Sequence, residues 1–443
     1  MTRREWLCGA AASRVGERRP NVVLVVADDL GSADLSLYGC GDIRTPRIDS
    51  IGASGVRFTH FYANAPECSP TRTALLTGRY QQRVGGLECA IGVGDVGRYD
   101  DAEWLQKRGE LGLPATEATL PQTLKRAGYA TGCFGKWHLG YPEKFWPVRH
   151  GFDESFGILG GNADYFTHRE EDGRPVLYHN TKMVERKGYI TDLIGQAAVE
   201  WLKRQQGQPF LMYVAFTAPH TPIQDPDGLE PAKGTAPWRQ GDRKVYAKMV
   251  ERMDARVGDI LGQLGRMGAA ENTIVIFISD NGADPNGSNG RLRGRKGSLW
   301  EGGIRIPCLM RWPGALPGGK DVEQVGITMD LMPTLLAAAG ARAPRKLDGV
   351  NLLPVLRGQR QPFARTLFWR FKRAERVRKA VREGDLKLVI DQGQEELHDL
   401  GADEFEVRDL PRAPDRARLK ALLAAWEKDV MAPRLRPFRS TPG

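Results

Sequence analysis

The feature that most constrains the fold is a set of four short apolar runs, each of which ends abruptly in polar residues. The runs are VVLVVADD at 22–29, YATGCFGKWH at 129–138, PFLMYVAFTAPH at 209–220 and TIVIFISDNG at 273–282. Consecutive apolar positions, rather than alternating ones, are typical of strands that are covered on both faces. The sequence therefore predicts four buried strands in one largely parallel sheet.

Helical patterns lie between these apolar runs. We predict helices over 46–53, 120–127, 192–204 and 244–267, of which the last two are amphipathic. The alternation of strands and helices predicts an α/β sandwich, in which helices flank a large mixed, mostly parallel sheet.

The chain divides into three predicted parts. Residues 1–19 form an N-terminal tail, in which Arg3–Arg4 and a short apolar patch are similar to a degenerate twin-arginine export signal. Residues 20–340 form a large α/β domain. Residues 341–443 form a small α+β subdomain, with antiparallel strands in RTLFWRF and KAVREGDLKLVI and a closing helix over 416–430.

The net charge of +10 favours anionic partners, such as nucleic acid, an anionic membrane surface, or an acidic small molecule or polysaccharide. Lysine and arginine are spread along the whole chain, and no zinc-finger or RNA-binding signature is present, so we expect no nucleic-acid partner. No run approaches the ~20 apolar residues of a membrane span. Together with the export-like N-terminus, this predicts a periplasmic or secreted protein, although a cytoplasmic location stays open.

One of the six cysteines has an unusual setting. None of the six forms a C-x-x-C pair, which argues against a zinc or redox motif. Cys68 lies two residues before Pro70, which begins, with Thr71, a predicted helix that runs through Leu76. A side chain at a helix N-terminus lies where unpaired N–H groups and the helix dipole favour negative charge. From these residues alone, an incidental thiol and a thiolate nucleophile both remain open.

Oxygen-bearing side chains follow two of the apolar runs, as Asp28, Asp29, Asp280 and Asn281. Ligands of open α/β sheets bind beyond the carboxyl ends of the strands, so these groups are expected to converge. They are hard oxygen ligands of the kind that Ca²⁺ or Mg²⁺ prefers. Either pair alone would be interpreted as turn residues, but two pairs that end two apolar strands favour a metal site.

Basic and imidazole side chains follow the other runs and one glycine-rich loop. Lys136 and His138 are expected to alternate on a strand and so to face one side, although a solvated strand end is the alternative. His220 lies in APHTP, between prolines that restrict its backbone. Lys296 lies in GRLRGRKGSLWEGG, which fits a loop that cradles an anion or, equally, a mobile surface loop.

The segment around Cys68 decides between these interpretations. CSPTRTALLTGRY resembles the sulfatase signature C-x-P-x-R-x-x-x-L-T-G-R, with every fixed position filled. NVVLVVADDLG, GYATGCFGKWHLG, HGFDESFG, APHTP, ISDNG and GRKGSLWEGGIRIP resemble other family blocks in the expected order, over about residues 20–430. The chain is identified as a member of the formylglycine-dependent (type I) sulfatases of the alkaline phosphatase superfamily. It is most similar to arylsulfatase A-like and N-acetylgalactosamine-6-sulfatase-like enzymes.

The resemblance implies an alkaline-phosphatase-like sandwich with a catalytic domain over 20–340 and a small C-terminal subdomain. It also implies that a formylglycine-generating enzyme oxidises Cys68 to Cα-formylglycine, whose hydrate attacks the sulfur of a sulfate ester. The implied catalytic residues are Cys68, Arg72, Lys136, His138, His220 and Lys296. The implied ligands of one Ca²⁺ per chain are Asp28, Asp29, Asp280, Asn281 and the modified residue 68.

Each implied catalytic residue has an expected role by analogy with the family. His220 would protonate the leaving alcohol, and His138 would deprotonate the second hydroxyl of the sulfated hydrate so that sulfate is expelled. Lys136 and Lys296 would hold sulfate oxygens, and Arg72 would orient the hydrate through its planar donors.

The expected reaction is hydrolysis of a sulfate ester of a carbohydrate, or of an aryl sulfate. A phosphonate monoester or phosphodiester hydrolase shares the motif and the fold and is the enzymatic alternative. A non-catalytic, glycan-binding relative is the other alternative, although a competent residue type occupies every expected catalytic position.

Several further residues are expected near the pocket. The Gly- and Asp-rich stretch 85–113, which contains Cys89, would form a rim loop or a disordered insertion. The other candidates, for the rim or for an additional sulfate contact, are His150, Ser155, Asn162, Asp164 and Tyr165.

Overall fold

The computed structural model describes residues 19–92, 100–228, 238 and 241–431. The strands in this part of the chain are, in order, β1 (Asn21–Ala27), β2 (Val56–Phe58), β3 (Phe61–Tyr62), β4 (Ala130–Gly135), β5 (Glu154–Ile158), β6 (Leu177–His179), β7 (Lys182–Met183), β8 (Phe210–Ala215), β9 (Thr273–Ser279), β10 (Cys308–Arg311), β11 (Lys320–Val322), β12 (Gly326–Ile327), β13 (Thr366–Arg373), β14 (Arg376–Glu383), β15 (Leu386–Asp391) and β16 (Gln394–Asp399). The α-helices are α1 (Pro46–Ala53), α2 (Cys68–Thr77), α3 (Asp100–Lys107), α4 (Leu120–Arg126), α5 (Ile190–Lys203), α6 (Arg243–Arg266), α7 (Glu301–Ile304), α8 (Leu331–Ala338), α9 (Leu353–Leu356) and α10 (Ala413–Asp429).

The large sheet is mixed and mostly parallel, as the sequence predicted. Its ten strands lie in the order β11-β2-β10-β9-β1-β8-β4-β5-β6-β7. The central strands β9, β1, β8, β4 and β5 run parallel, whereas β10 pairs antiparallel with β9 and β6 pairs antiparallel with β5. The four apolar runs of the sequence are β1, β4, β8 and β9, which are neighbours. Their carboxyl ends therefore meet at one edge of the sheet.

Both faces of β1 are buried, which explains its unbroken apolar sequence. Val22, Leu24 and Val26 pack into the core on one face of the sheet, together with apolar residues of α2, α4 and α8. Residues 23, 25 and 27 pack into the core on the other face, together with apolar residues of α1, α5 and α6. The large domain is thus a sandwich of three layers, with helices on both sides of the sheet.

The predicted helices are present with small shifts at their ends. The helix expected over 46–53 is α1, and the one expected over 120–127 is α4, which ends at Arg126. The two amphipathic helices, α5 and α6, begin two residues and one residue earlier than predicted. No helix in the described part of the chain combines the length and the apolar character needed to cross a membrane.

The expectation that Lys136 and His138 alternate along a strand is wrong. Strand β4 ends at Gly135, whose φ of 108° takes the backbone into a region that favours glycine. The N–H groups of Trp137 and His138 then donate to the carbonyls of Ile158 and Leu159, at the end of the neighbouring strand β5. The side chains of Lys136 and His138 are consequently placed by a loop, and His138 itself has a φ of 58°.

The C-terminal part forms a four-stranded antiparallel sheet, β13-β14-β15-β16, which packs on α10. The predicted strands and closing helix are confirmed here, and β16 is an addition that the sequence did not predict. Trp369 and Leu388 share an apolar cluster with Leu423 of α10 and with Leu299 and Ile304 of the large domain. The boundary at residue 340 stays a prediction, and the export-like segment within 1–18 lies outside the described residues.

Candidate active site

Cys68 is the first residue of α2 and is buried at the carboxyl edge of the central strands. The turn before it is closed by Thr71, whose hydroxyl donates to the Ala65 carbonyl at 2.9 Å and accepts from the Ala65 N–H at 3.2 Å. The Cys68 thiol lies 3.4 Å from Asp28 Oδ1, and the Lys136 ammonium donates to its sulfur at 3.3 Å. The sulfur therefore faces a polar cluster rather than the apolar interior.

The surroundings of Cys68 keep the thiol neutral. Burial, followed by the negative charge of Asp280, raises the pKa of the Cys68 thiol well above its ordinary value, and Lys136 opposes this only in part. A neutral thiol is a poor nucleophile, so the structure argues against a plain thiolate mechanism. The alternative that the sequence left open is thereby disfavoured.

The acidic residues that were predicted to converge do so around Cys68. Asp28, Asp29, Cys68 and His220 each offer one ligand atom within 4.8 Å of the others. The pairing of Ala27 with Ser279 in the β1–β9 ladder brings the second acidic pair alongside the first. As a result, the Asp29 N–H donates to Asp280 Oδ1 at 3.3 Å. Asn281 Nδ2 donates to Asp29 Oδ1 at 2.8 Å.

This group fits a divalent cation. The Asn281 Oδ1 atom is buried and has no hydrogen-bond partner among the described residues, so its lone pairs are available to a ligand. Burial and the nearby Asp28 charge raise the pKa of Asp280, although Arg72 opposes the shift. A divalent cation would relieve this crowding of buried carboxylates. Because the donors are mostly oxygen atoms, the set suits a hard cation.

Two buried lysines face the same carboxylates. Lys136 Nζ lies 2.6 Å from Asp28 Oδ2, and Lys296 Nζ lies 2.6 Å from Asp29 Oδ2. Burial opposes the charge of each ammonium, but the adjacent aspartate and the other acidic groups of the site together outweigh it, and the pKa of both lysines is raised. Burial likewise opposes the charge of Asp29, whereas Lys296 and His220 lower its pKa. Both lysines are therefore cationic at neutral pH.

Arg72 lies one helical turn beyond Cys68 and is completely buried. Its Nε and Nη2 donate to Asp280 Oδ2 at 3.0 and 2.8 Å, and its Nη1 donates to the Lys136 carbonyl at 2.8 Å. The planar guanidinium thus fixes one acidic residue and the backbone that carries one lysine. Its expected role in orienting the modified residue 68 stays a prediction.

The two histidines present different ring nitrogens to the site. His138 Nε2 donates to the Ile91 carbonyl at 2.6 Å, which leaves Nδ1 as the acceptor atom. His220 Nδ1 donates to the Thr221 carbonyl at 2.7 Å, and its Nε2 lies 3.5 Å from Asp29 Oδ2. Burial and the neighbouring lysines lower both pKa values, that of His220 to about 3. Both rings are neutral at physiological pH.

An open cavity of about 400 Å³ gives access to this cluster. Its walls are formed by Cys68, Ala90, Ile91, Gly92, His138, Tyr141, Gly161, Asn162, Glu170, Glu171, Asp172, His220, Lys296 and Arg373. Cys68 and three other predicted catalytic residues therefore open onto one space. Lys136 and Arg72 lie behind them, completely buried.

Comparison with known proteins assigns the family. The family model described as "Sulfatase" matches residues 20–341, and the model described as "N-sulphoglucosamine sulphohydrolase, C-terminal" matches residues 295–430. The chain belongs to the sulfatase family. Sulfatases generally use formylglycine and a divalent metal, in agreement with the possible metal-binding group at Asp28, Asp29, Cys68 and His220.

Individual sulfatases are similar over most of this chain. The N-acetylgalactosamine-6-sulfatase of Canis lupus familiaris is 37% identical over 361 residues, covering 76% of this chain and 66% of that protein. The chain thus spans just under two thirds of the length of that curated relative. A crystal structure of Ps i-CgsB in complex with k-i-k-neocarrahexaose is 30% identical, with a TM-score of 0.82 and coverage of 94% of each chain.

One neighbour that is named for a different chemistry shares the fold. The phosphonate monoester hydrolase of Agrobacterium radiobacter is 21% identical, with a TM-score of 0.65 over 93% of this chain and 95% of that one. The sulfatase fold therefore does not by itself exclude the phosphonate alternative.

Some of the residues that were predicted for the cavity rim line the cavity, and others do not. Asn162 lines the cavity, as predicted, and so do Ala90–Gly92 of the stretch 85–113. Cys89 is buried, and this stretch is ordered where it is described, whereas 93–99 lie outside the described residues. Of the remaining candidates, Tyr165 places its hydroxyl 2.9 Å from the His220 carbonyl, behind the site.

Three other candidates lie away from the cavity walls. Asp164 accepts hydrogen bonds from the N–H groups of Phe166 and Thr167 and closes a turn. His150 packs on Trp137 in the core, and Ser155 lies within β5. Neither is among the described residues that line the cavity, so the expectation of an additional sulfate contact from them is not supported.

The sequence reasoning missed most of the outer wall. Tyr141, the turn 170–172 and Arg373 line the cavity, but nothing in their local pattern distinguishes them from surface residues. Arg373 comes from β13 of the C-terminal sheet, and Glu67 holds its guanidinium at 2.9 Å. Glu67 also accepts the Ala90 N–H at 2.7 Å, which links the residue before Cys68 to two parts of the wall.

Proposed function

We propose that this protein hydrolyses sulfate esters, and that its substrate is a sulfated carbohydrate. The observation that supports this best is the placement of Cys68. It begins a buried helix, opens onto the cavity, and lies within 3.4 Å of both Asp28 and Lys136. This is the position at which an oxygen nucleophile at residue 68 would contact both a cation and a bound anion.

The proposed chemistry requires two groups besides the residues described. Formylglycine at position 68, made from Cys68 by a formylglycine-generating enzyme, would supply a hydrated aldehyde as the nucleophile. One Ca²⁺ would lower the pKa of that nucleophile and neutralise developing negative charge. Its proposed protein ligands are Asp28, Asp29, Asp280, Asn281 and the modified residue 68. His220, which lies in the same group, would contact the bound ester rather than the cation.

The two lysines would bind the sulfate group. Lys296 lines the cavity and is cationic, and Lys136 lies 3.3 Å from the Cys68 sulfur. Sulfate oxygens that gain negative charge in the transition state would be stabilised by these preorganised donors. Arg72 donates hydrogen bonds to Asp280 and to the Lys136 carbonyl, and so would fix the position of one sulfate donor relative to the cation site.

The histidines would move protons at defined atoms. His220 Nε2 faces the site, so we propose that it protonates the leaving alcohol. The ring is neutral in the free site, but a bound sulfate ester brings negative charge, which would raise its pKa. His138 Nδ1 has no hydrogen-bond partner among the described residues, and the ring is neutral. It is therefore suited to accept a proton from residue 68.

The proposed substrate class is supported by relatives as well as by the cavity. The dog relative is named an N-acetylgalactosamine-6-sulfatase, and the Ps i-CgsB structure is a complex with k-i-k-neocarrahexaose. The cavity of about 400 Å³, whose lining includes several charged side chains, is large enough for a sulfated sugar ring. We also propose export to the periplasm or the medium, on the basis of Arg3–Arg4, which precede the described residues.

Maturation and turnover can be tested together. The protein is produced with a formylglycine-generating enzyme, and the tryptic peptide that contains residue 68 is analysed by mass spectrometry. We expect a mass deficit that corresponds to an aldehyde in place of the thiol, together with hydrolysis of N-acetylgalactosamine 6-sulfate. An unmodified thiol under these conditions would contradict the proposal.

Substrate preference distinguishes a sulfatase from the alternative, a phosphonate hydrolase. We expect the matured protein to hydrolyse 4-nitrophenyl sulfate with a higher kcat/KM than 4-nitrophenyl phenylphosphonate. The reverse order would assign the site to the phosphonate hydrolases, while binding of sulfated sugars without turnover by the matured protein would indicate a glycan-binding relative.

A further inference from the structure

We propose that Glu171 makes this cavity select sulfated sugars whose ring carries no second anionic group beside the scissile sulfate. The inference deepens the proposed function and rests on it, because it takes the cavity that contains Cys68 as the sugar-binding site. It assigns the preference to one exposed carboxylate at the tip of a turn in the cavity wall.

The turn that carries Glu171 is tightly closed. Arg169 and Pro175 form an antiparallel bridge, and the Glu170 N–H donates to the Arg174 carbonyl at 2.9 Å. The Gly173 N–H donates back to the Glu170 carbonyl at 2.8 Å, with a Gly173 φ of 83°. Glu171 therefore projects from a fixed backbone rather than from a long flexible loop.

The charges next to Glu171 are already paired. Arg174 Nε lies 2.9 Å from Asp172 Oδ2, and its Nη2 contacts Glu170 Oε2. Glu170 is buried and also accepts the Tyr141 hydroxyl at 3.0 Å. By contrast, no ion pair or hydrogen bond from the described part of the chain reaches the Glu171 carboxylate. Its negative charge is consequently presented to whatever occupies the cavity.

The effect of the Glu171 charge depends on the other charged residues that line the cavity. Lys296 is the cation deep in the cavity, and it lies against Asp29. Arg373 lies against Glu67 on another wall. The three carboxylates of the 170–172 turn thus line a space with two cations, both held by acidic residues. The buried, unpartnered His138 Nδ1 marks the same space as one that receives a polar ligand.

A hydroxyl-rich ring and a polyanionic ring would respond differently to this wall. Sugar hydroxyls donate hydrogen bonds to carboxylates, whereas a second sulfate or a uronate carboxylate would be repelled by Glu171. At a separation on the order of 6 Å near a protein surface, such repulsion weakens binding by roughly tenfold. The preference is thus opposite to what the net charge of +10 suggests for the chain as a whole.

Binding to the unmatured protein tests this without turnover. Calorimetry in calcium-containing buffer compares N-acetylgalactosamine 6-sulfate with N-acetylgalactosamine 4,6-disulfate for the Cys68 form. We expect the wild type to bind the monosulfate about tenfold more tightly at low ionic strength. Glu171→Gln should reduce that ratio to about one to three, and Glu171→Lys should reverse it. Raising the salt concentration should shrink the wild-type ratio, which a purely steric wall would leave unchanged.

A matched control is Glu185→Gln, which removes an exposed carboxylate outside the cavity walls and should leave the ratio as in the wild type. An unchanged ratio in both Glu171 variants would overturn the inference, and hydrolysis of 4-nitrophenyl sulfate by the matured wild type would show that the proposed function still stands. If the wild type binds neither sugar and the matured protein hydrolyses no sulfate ester, both fail together.

Discussion

Replacing Arg72 by lysine is the sharpest test of the proposed site, because the change keeps the charge and removes the geometry. The guanidinium makes two hydrogen bonds to Asp280 Oδ2, at 3.0 and 2.8 Å, and one to the Lys136 carbonyl at 2.8 Å. A lysine ammonium on a single stem cannot reach both groups in the same directions. At least one charge-assisted hydrogen bond in a fully buried setting is therefore lost.

The expected magnitude follows from that loss. Hydrogen bonds to charged groups contribute about 1.5–3 kcal/mol each, and a buried acceptor left without a partner adds a further penalty. If about 3–4 kcal/mol of support for Asp280 and Lys136 is removed, kcat/KM should fall roughly 10²–10³-fold. Calcium affinity should fall as well, since Asp280 is a proposed ligand, and the thermal midpoint should decrease.

The assay measures kcat/KM for 4-nitrophenyl sulfate across a calcium titration, alongside a thermal unfolding curve. Arg79→Lys is the matched control, because Arg79 belongs to the same sequence motif but pairs with Glu117 at 3.0 Å away from the cavity walls. We expect the control to change kcat/KM by less than about threefold. Activity of Arg72→Lys within threefold of the wild type at every calcium concentration would refute the reasoning.

Three further predictions concern residue 68, the cation and one remote carboxylate. Cys68→Ala should abolish turnover while the protein still folds, as followed by circular dichroism, because one small residue at a helix start contributes little stability; an unfolded variant would show a structural role instead. Chelation should remove activity reversibly and lower the thermal midpoint of the wild type, with calcium restoring both; a midpoint indifferent to chelator would contradict the proposed ligands. Asp254 accepts the N–H groups of Arg47 and Ile48 at 2.9 and 2.7 Å, and burial raises its pKa to about 6. Because the folded-state pKa lies above the unfolded value of about 3.9, its ionisation lowers stability as pH rises from about 4 through 6. Asp254→Asn keeps the acceptor oxygen and should be more stable than the wild type at pH 8 by about 1–2 kcal/mol in urea unfolding, with the difference shrinking at pH 4.5; the same difference at both pH values would exclude this cause.

The sheet and the acidic cluster could be predicted because their signals are local. Each apolar run specifies a strand covered on both faces, and parallel neighbours necessarily end at the same edge. The pairing of Ala27 with Ser279 then places Asp28 and Asp29 beside Asp280. Nothing beyond strand order was needed for this convergence, which explains why the sequence was sufficient.

The loop residues show where that reasoning ends. His138 was expected on a strand, but its N–H donates to the carbonyl of Leu159, which lies 21 positions away in sequence and directly after β5. His220 was expected only as an acid, yet its Nε2 also lies 3.5 Å from Oδ2 of Asp29, which follows a different strand. Contacts of this kind depend on several segments at once, and no periodicity in one segment encodes them.

The loop that carries Lys296 depends on a still more distant part of the sequence, because residues of the C-terminal subdomain contact this loop. Gly297, the next residue, donates to the Pro66 carbonyl at 2.8 Å, and its own carbonyl accepts from Arg378 of β14. Five residues after Lys296, the buried carboxylate of Glu301 lies 2.8 Å from Lys387 Nζ of β15. Burial opposes the charge of Glu301, but Lys387 and Arg382 outweigh it and lower its pKa to about 2.

A buried ion pair of this kind contributes little net stability to the folded protein, but separating its two partners is strongly destabilising. Moving the subdomain away from the loop would separate these two fully buried groups, which would leave Glu301 with Tyr62 and Arg305 and Lys387 with Glu406. The position of Lys296 is therefore coupled to that of the C-terminal sheet. The predicted boundary near residue 340 rests on a change in sequence composition, whereas the position of the proposed sulfate-binding lysine depends on residues on both sides of it.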